Sequence, residues 1–79
     1  MDLRQLRAFA TVAETGSVTR AAARLNVVQP AVTRQLQLLE EDLRTPLFVR
    51  SRGGMALTDA GRTMLEYARR ILDEVERAR

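Results

Sequence analysis

The sequence contains no cysteine and no histidine. The missing cysteines exclude disulfides and thiolate zinc sites, and the missing histidines exclude imidazole metal ligands and histidine general bases. Together these absences remove most hydrolase, zinc-finger and redox-enzyme functions, so we expect no metal and no cofactor. No apolar run approaches the ~18 residues that a membrane span needs, and no signal peptide opens the chain. We therefore expect a cytoplasmic protein without a membrane partner.

The chain is short and lacks the usual means of reinforcing a small core. With 79 residues, 46% apolar and 29% charged, it has the size and composition of one small globular domain. A core of this size often needs a disulfide, a metal or a second subunit. Because the first two are not expected here, self-association is the remaining source of added stability.

Lysine is also absent, so all 13 basic residues are arginines, against ten acids. The arginines are unevenly opposed along the chain. Residues 17–38 and 44–57 contain arginines and no acid, whereas from residue 66 onward acids and arginines cancel. Two basic segments suggest a local anionic partner such as nucleic acid. The alternative is that they form an ordinary solvated face.

Apolar spacing and cap residues predict four helices. The first ends at Gly16, and the second begins at the N-cap Ser17 and is closed by Asn26. The third spans residues 29–43 and is stopped by Pro46. The fourth runs from residue 59 to the end of the chain, after a threonine cap.

Two short extended runs lie between the third and fourth helices. Residues 47–50 and 55–57 flank a turn containing Gly53 and Gly54, which predicts a β-hairpin. Two short helices joined by a tight turn, followed by a hairpin, give a helix-turn-helix with a wing. The predicted fold class is therefore mostly α: a winged helix-turn-helix with a three-helix core and a two-stranded wing over residues 1–58. A long C-terminal linker and dimerisation helix follows over residues 59–79.

The fourth helix has apolar residues at alternating spacings of three and four, as in a coiled coil. We predict that it protrudes and pairs with its copy in a homodimer. The alternative is a core helix folded back on its own domain. The predicted dimer interface consists of Gly61, Met64, Leu65, Ala68, Ile71, Leu72 and Val75.

The third helix has the residues needed to recognise base edges. Its exposed face at the start is polar and free of acids, and an α-helix fits the major groove of DNA. Gln29 can pair with adenine and Arg34 can fork onto guanine. Thr33 offers a hydroxyl and a methyl, and Pro30 could pack near a thymine methyl. These four residues are the predicted base contacts.

Other residues are candidates for holding the DNA backbone. Backbone N–H groups at Ser17 and Val18 open the second helix and can hold a phosphate, with Arg20 in support. On the wing, a glycine tip would let the backbone approach a phosphate or the minor groove, where arginine is favoured. The wing candidates are Arg50, Arg52 and Gly53.

Each of these features also has an ordinary structural explanation. Gln29 and Thr33 could simply face solvent, Arg34 could pair with Glu41, and the glycines could form only a tight turn. The features favour DNA binding as a set, because one docking geometry uses all of them.

The sequence resembles the N-terminal winged helix-turn-helix domain of LysR-type transcriptional regulators, and the match covers essentially the whole chain. The resemblance implies a bacterial transcription factor whose linker helices pair in a dimer, with each recognition helix in a major groove and each wing at a minor groove. The matching motifs are LRQLRAF (3–9), GSVTRAAARL (16–25), QPAVTRQL (29–36), LE (39–40), PLF (46–48), Arg50 and LTDAG (57–61).

The family's contacts fall on the positions of Gln29, Pro30, Thr33 and Arg34 and near Arg50 and Arg52, which the resemblance therefore implies for this chain. It also implies a double-stranded operator that contains an interrupted inverted repeat. The family's effector-binding domain does not match any part of this sequence, so a tetramer is expected only when that domain is present. Position 28 is usually a capping serine, and here it is Val28, which cannot cap.

Two other functions remain as alternatives. A protein-interaction module would dimerise through the heptad helix and be indifferent to DNA. A sequence-blind DNA-binding protein would show strong salt dependence without site preference. An enzyme is the weakest alternative, because no histidine activates the serines and the acids at 40–42 lack metal-site spacing.

Overall fold

The structure, a computed structural model, describes all residues from Met1 to Arg79. Four helices and one antiparallel hairpin occur in the predicted order, which confirms the winged helix-turn-helix. The elements are α1 (Leu3–Thr15), α2 (Val18–Leu25), α3 (Gln29–Leu43), β1 (Phe48–Ser51), β2 (Gly54–Leu57) and α4 (Asp59–Arg77).

The helix ends follow the cap residues. The Ser17 hydroxyl accepts from the Arg20 N–H at 3.1 Å, and the Thr58 hydroxyl accepts from the Gly61 N–H at 2.9 Å. Gly16 takes the left-handed conformation that ends α1, with φ 69°. At the start of α1 the Asp2 carboxylate accepts from the backbone N–H of Gln5, and this bond lowers the pKa of Asp2.

The bounds of α3 are those predicted from the sequence, residues 29–43. The helix ends at Leu43, and Arg44 takes a left-handed conformation with φ 55°. Pro46 therefore lies beyond a helix that has already ended. Left-handed backbone is unfavourable for a residue with a Cβ, so Arg44 contributes local strain that the sequence pattern did not reveal.

Helix α1 is the centre of the core, because α2, α3, α4 and β2 all contact it. Phe9 and Val12 are both 0% exposed. Both side chains are fully buried because α1 is covered on more than one side. The Phe9 ring packs against that of Phe48 on the wing at a centroid distance of 5.3 Å.

The first half of α4 belongs to this core, which corrects part of the predicted dimer interface. Gly61, Leu65 and Ala68 are buried within a single chain and so cannot present a surface to a second copy. A Cβ at Gly61 would collide with the carbonyl oxygen of Leu47, so this glycine permits close packing of α4 on the loop before the wing. The alternative of a helix folded back on its domain is therefore correct for the first half of α4.

The wing is a four-residue ladder in which Phe48 pairs with Leu57 and Ser51 with Gly54. The turn consists of Arg52 and Gly53, so Gly54 belongs to β2 and not to the tip. No helix in the structure has both the length and the apolar character needed to span a membrane. No group of three or more carboxylates is arranged so that it could hold a metal ion.

Candidate nucleic-acid interface

Helix α2 and the start of α3 form an open concave surface, which we call the contact surface. All four predicted base-contact residues lie on it. Its lining residues are Thr19, Ala22, Ala23, Val27, Val28, Gln29, Pro30, Thr33, Arg34 and Gln37.

The base-contact candidates on the contact surface are free to meet a partner. Gln29, Pro30, Thr33 and Arg34 are all exposed. Arg34 forms no ion pair, so the alternative of a bridge to Glu41 is not realised. On the opposite face of α3, Val32, Leu36 and Leu39 are buried and fix the helix to the core. The polar face is therefore held outward by apolar packing behind it.

The start of α2 offers backbone donors next to the contact surface. The Ser17 hydroxyl already accepts the cap bond from the Arg20 N–H, and its own O–H remains free to donate to a partner. The Val18 N–H has no hydrogen-bond acceptor within the chain, as expected in a first helical turn. The Arg20 guanidinium makes no ion pair. Positive charge and a free N–H thus lie together at one helix start.

Arg24, in the same basic segment, behaves differently. Its guanidinium pairs with the Glu14 carboxylate on α1 at 3.1 Å. Sequence counting placed Arg24 in an acid-free stretch, but the chain brings an acid from α1 next to it. The uncompensated charge of this segment therefore comes from Arg20 and Arg34.

The wing exposes its predicted contact residues at and beside the turn. Arg50, Arg52 and Gly53 are exposed, and neither arginine forms an ion pair. Gly53 has an ordinary backbone conformation, and an added Cβ there would meet nothing within 4 Å. The fold itself therefore does not require a glycine at position 53.

Val28 is the least expected residue of the contact surface. It is the N-cap residue of α3, it makes no side-chain cap bond, and 69% of it is exposed. This confirms the prediction that α3 starts without a side-chain cap. The start of the recognition helix therefore combines a missing cap with an exposed apolar side chain.

Glu40 connects α3 to the wing, a role that was not predicted from the sequence. The Glu40 carboxylate accepts hydrogen bonds from the backbone N–H groups of Leu47 at 2.6 Å and Phe48 at 3.3 Å. It therefore joins α3 to the first residues of the wing. Glu40 belongs to the matching motif LE (39–40), but its partners follow a loop, so the motif alone does not show which groups its carboxylate bonds.

The comparisons with known proteins decide the family. The model of the bacterial regulatory helix-turn-helix proteins of the lysR family matches residues 3–62. This chain belongs to the LysR-type family. The regulator ClcR of Pseudomonas putida is 52% identical over 79 residues, which are 100% of this chain and 27% of ClcR. The chain therefore spans about a quarter of the length of the curated relatives it matches.

Solved structures agree with this LysR-type assignment. The chain is similar to CbnR in the crystal structure of its DNA-binding domain with DNA, with a TM-score of 0.93 and 51% identity. That match covers 99% of this chain and 90% of the other. The BenM DNA-binding domain bound to catB site 1 DNA gives a TM-score of 0.94 and 38% identity, covering 99% and 88%. The chain thus has the fold of LysR-type DNA-binding domains, and the CbnR and BenM domains are bound to DNA in these structures.

Proposed function

We propose that this LysR-type domain recognises a specific operator as a homodimer, with residues 29–43 in the major groove and the 47–57 wing at the minor groove. The main support for this proposal is that four arginines have no acidic partner. Arg20, Arg34, Arg50 and Arg52 all lack an acidic partner within the chain, although ten acids are available. Cations left unpaired on one functional unit suit an external polyanion.

Base recognition is assigned to the start of α3. Arg34 donates two hydrogen bonds to guanine O6 and N7, and Gln29 pairs with adenine N6 and N7. Thr33 contacts a base through its hydroxyl or a thymine through its methyl, and Pro30 packs against a thymine methyl. The exposure of all four side chains supports these roles.

Backbone contacts are assigned to two places. The free N–H at Val18, together with Ser17 and Arg20, receives one phosphate. Arg50, Arg52 and the Gly53 backbone meet the flanking DNA at the minor groove or its phosphates. These contacts set the orientation of the domain and carry little sequence information.

Dimerisation is assigned to the part of α4 that the core leaves free. Met64, Ile71 and Leu72 are half-buried against the core, whereas Val75 is half-buried without packing on it. An open groove beside Val75 is lined by Arg70, Ile71, Glu74 and Ala78. We propose that the second copy covers this outer half of α4. Residues 59–79 are then a linker that is partly core and partly interface.

The wider roles follow from the family. Because the family is regulatory, we propose a transcription regulator without catalytic activity that acts in the bacterial cytoplasm. Its operator would be an interrupted inverted repeat, since two recognition helices related by a two-fold axis read symmetric half-sites. A tetramer would require the regions that this chain does not include.

Selection from a randomised duplex library tests the proposal. At about 150 mM salt with competitor DNA, non-specific binding is suppressed. An enriched inverted repeat is expected, and its half-site spacing would give the dimer geometry. Retention without enrichment would favour a sequence-blind protein, and no retained DNA would favour a protein-interaction module. Arg4→Ala, which changes an exposed arginine at the start of α1, is the matched control for Arg34→Ala on the selected site.

A further inference from the structure

The wing is joined to the recognition helix by one side chain. Glu40 lies on the last third of α3, and its carboxylate oxygen accepts from the N–H groups of Leu47 and Phe48 at 2.6 and 3.3 Å. Hydrogen bonds to an ionised acceptor are stronger than neutral ones. Because Phe48 opens β1, this carboxylate fixes where the first wing strand begins relative to α3.

The neighbouring acids do not share this contact. Glu41 and Asp42 are exposed, and Asp42 pairs with the amino terminus at 2.9 Å. Glu40 is half-buried. Within this run of three acids, only Glu40 contacts the wing, which makes Glu41 a matched control of the same charge.

The second wing strand is held at the other end of the hairpin. The Met55 N–H donates to the Gly16 carbonyl at 3.0 Å, in the turn between α1 and α2. A Cβ at Gly54 would collide with the same carbonyl oxygen, so the strand lies very close to this turn. The hairpin is thus attached to the turn before α2 through β2 and to α3 through β1.

We propose that Glu40 is a positioning residue that sets the wing relative to α3, so that both reach the DNA at once. The part of this inference that concerns DNA rests on the proposed wing contact. Without the Glu40 bond, β1 keeps its ladder with β2, the packing of Phe48 on α1 and the hydrogen bonds that Thr58 donates to the carbonyls of Pro46 and Leu47, but it loses its hydrogen bonds to α3. The wing would then sample several positions, and ordering it on DNA would reduce the affinity.

The position of the wing relative to α3 is measured without DNA, as the distance between two spin labels. The chain has no cysteine, so spin labels can be placed only where cysteines are introduced, at the exposed positions Gln37 on α3 and Ser51 on the wing. A narrow distribution of label distances is expected in the parent and in Glu41→Ala, and a broader or displaced one in Glu40→Ala. A parent-like distribution in Glu40→Ala overturns the proposal.

The effect of Glu40 on DNA binding is measured as affinity for the operator obtained by the selection. Arg52→Ala should weaken binding in the parent, and its cost should shrink by at least about twofold in the Glu40→Ala background, as for residues that act through one network. Glu40→Gln, which keeps one acceptor oxygen, should lie between the parent and Glu40→Ala. A broadened distance distribution with unchanged operator affinity overturns the proposed effect of Glu40 on DNA binding.

Circular dichroism identifies any variant that fails to fold. If Glu40→Ala is unfolded, the distance and affinity measurements are made on Glu40→Gln instead. The two proposals fail differently. An Arg52→Ala variant that binds as tightly as the parent would refute the wing contact of Arg52, whereas the label distances in the Glu40 variants would still decide whether Glu40 positions the wing.

Discussion

The contact surface with its wing and helix α4 contain arginines in similar number but use them differently. On α4, Arg62 pairs with Asp59, Arg77 pairs with Asp73 at 3.0 Å, and Arg70 lies 4.8 Å from the centre of the Tyr67 ring, whereas Arg69 has no such partner. On the contact surface and the wing, no arginine has such a partner. Most arginines of α4 therefore have a partner within the chain, whereas those of the contact surface and the wing do not.

The starts of the two long helices show the same difference. Thr58 caps α4 through the Gly61 N–H, whereas α3 starts at Val28 with no cap bond. Losing a cap costs about 0.5–2 kcal/mol. The start of α4 is thus stabilised by a cap bond, whereas the start of α3, which lies on the contact surface, is not.

The largest expected effect is that of Arg34→Ala. If Arg34 reads a guanine, its loss should cost about 1–3 kcal/mol on the cognate operator and relax specificity at one base pair. Arg4→Ala should change operator affinity little, because its exposed ion pair with Asp2 contributes about 0–1 kcal/mol even to stability. Fluorescence anisotropy on the operator and on random duplexes measures both. An equal loss on the two DNAs would assign Arg34 to phosphate instead.

Val75→Glu tests whether the outer half of α4 pairs with a second copy. A charge placed in an apolar interface must be desolvated, so the dimer dissociation constant should rise by about tenfold or more. The unfolding midpoint of the dilute monomer should stay unchanged, because Val75 does not pack on the core. Analytical ultracentrifugation gives the dissociation constant. An unaltered value would remove Val75 from the interface.

Val28→Ser should sharpen the contrast between the helix starts by supplying the missing cap. A serine hydroxyl at the N-cap would accept from an N–H of the first turn of α3 and stabilise the domain by about 1 kcal/mol. Thermal unfolding measures this gain. Thr58→Ala is the opposite control, since it removes an existing cap and should lower stability by a similar amount. A destabilised Val28→Ser would show that the valine packs usefully.

Gly53→Ala should have the smallest effect on the fold and still report on DNA. The position is open and its φ is not positive, so stability should be unchanged or higher by up to ~1 kcal/mol. Operator affinity should fall a fewfold if the Gly53 backbone approaches DNA closely. Gly54→Ala is the contrasting control, because a Cβ there meets the Gly16 carbonyl and should destabilise the fold. Unchanged affinity in Gly53→Ala would exclude the close approach.

Local sequence patterns were sufficient to predict most of the secondary structure. Gly16, Ser17, Asn26 and Thr58 end or begin helices where their caps predict, because capping depends on a few neighbouring backbone groups. The hairpin was also predicted, although its turn is Arg52 and Gly53 rather than a Gly-Gly tip. The exposed polar start of α3 follows from its 3.6-residue period.

Only the tertiary structure showed which apolar and charged groups meet each other. The spacing along α4 cannot separate Ala68, buried on the core, from Val75, which is free, because one stripe serves both ends of the helix. Nor can sequence order show that Glu14 neutralises Arg24 while Arg20 and Arg34 stay unpaired. The sequence determined the elements and the polar face of α3, since these depend on neighbours within a few residues. The fold decided which charges stay free and how Glu40 holds the wing, since these contacts join residues brought together only when the helices pack.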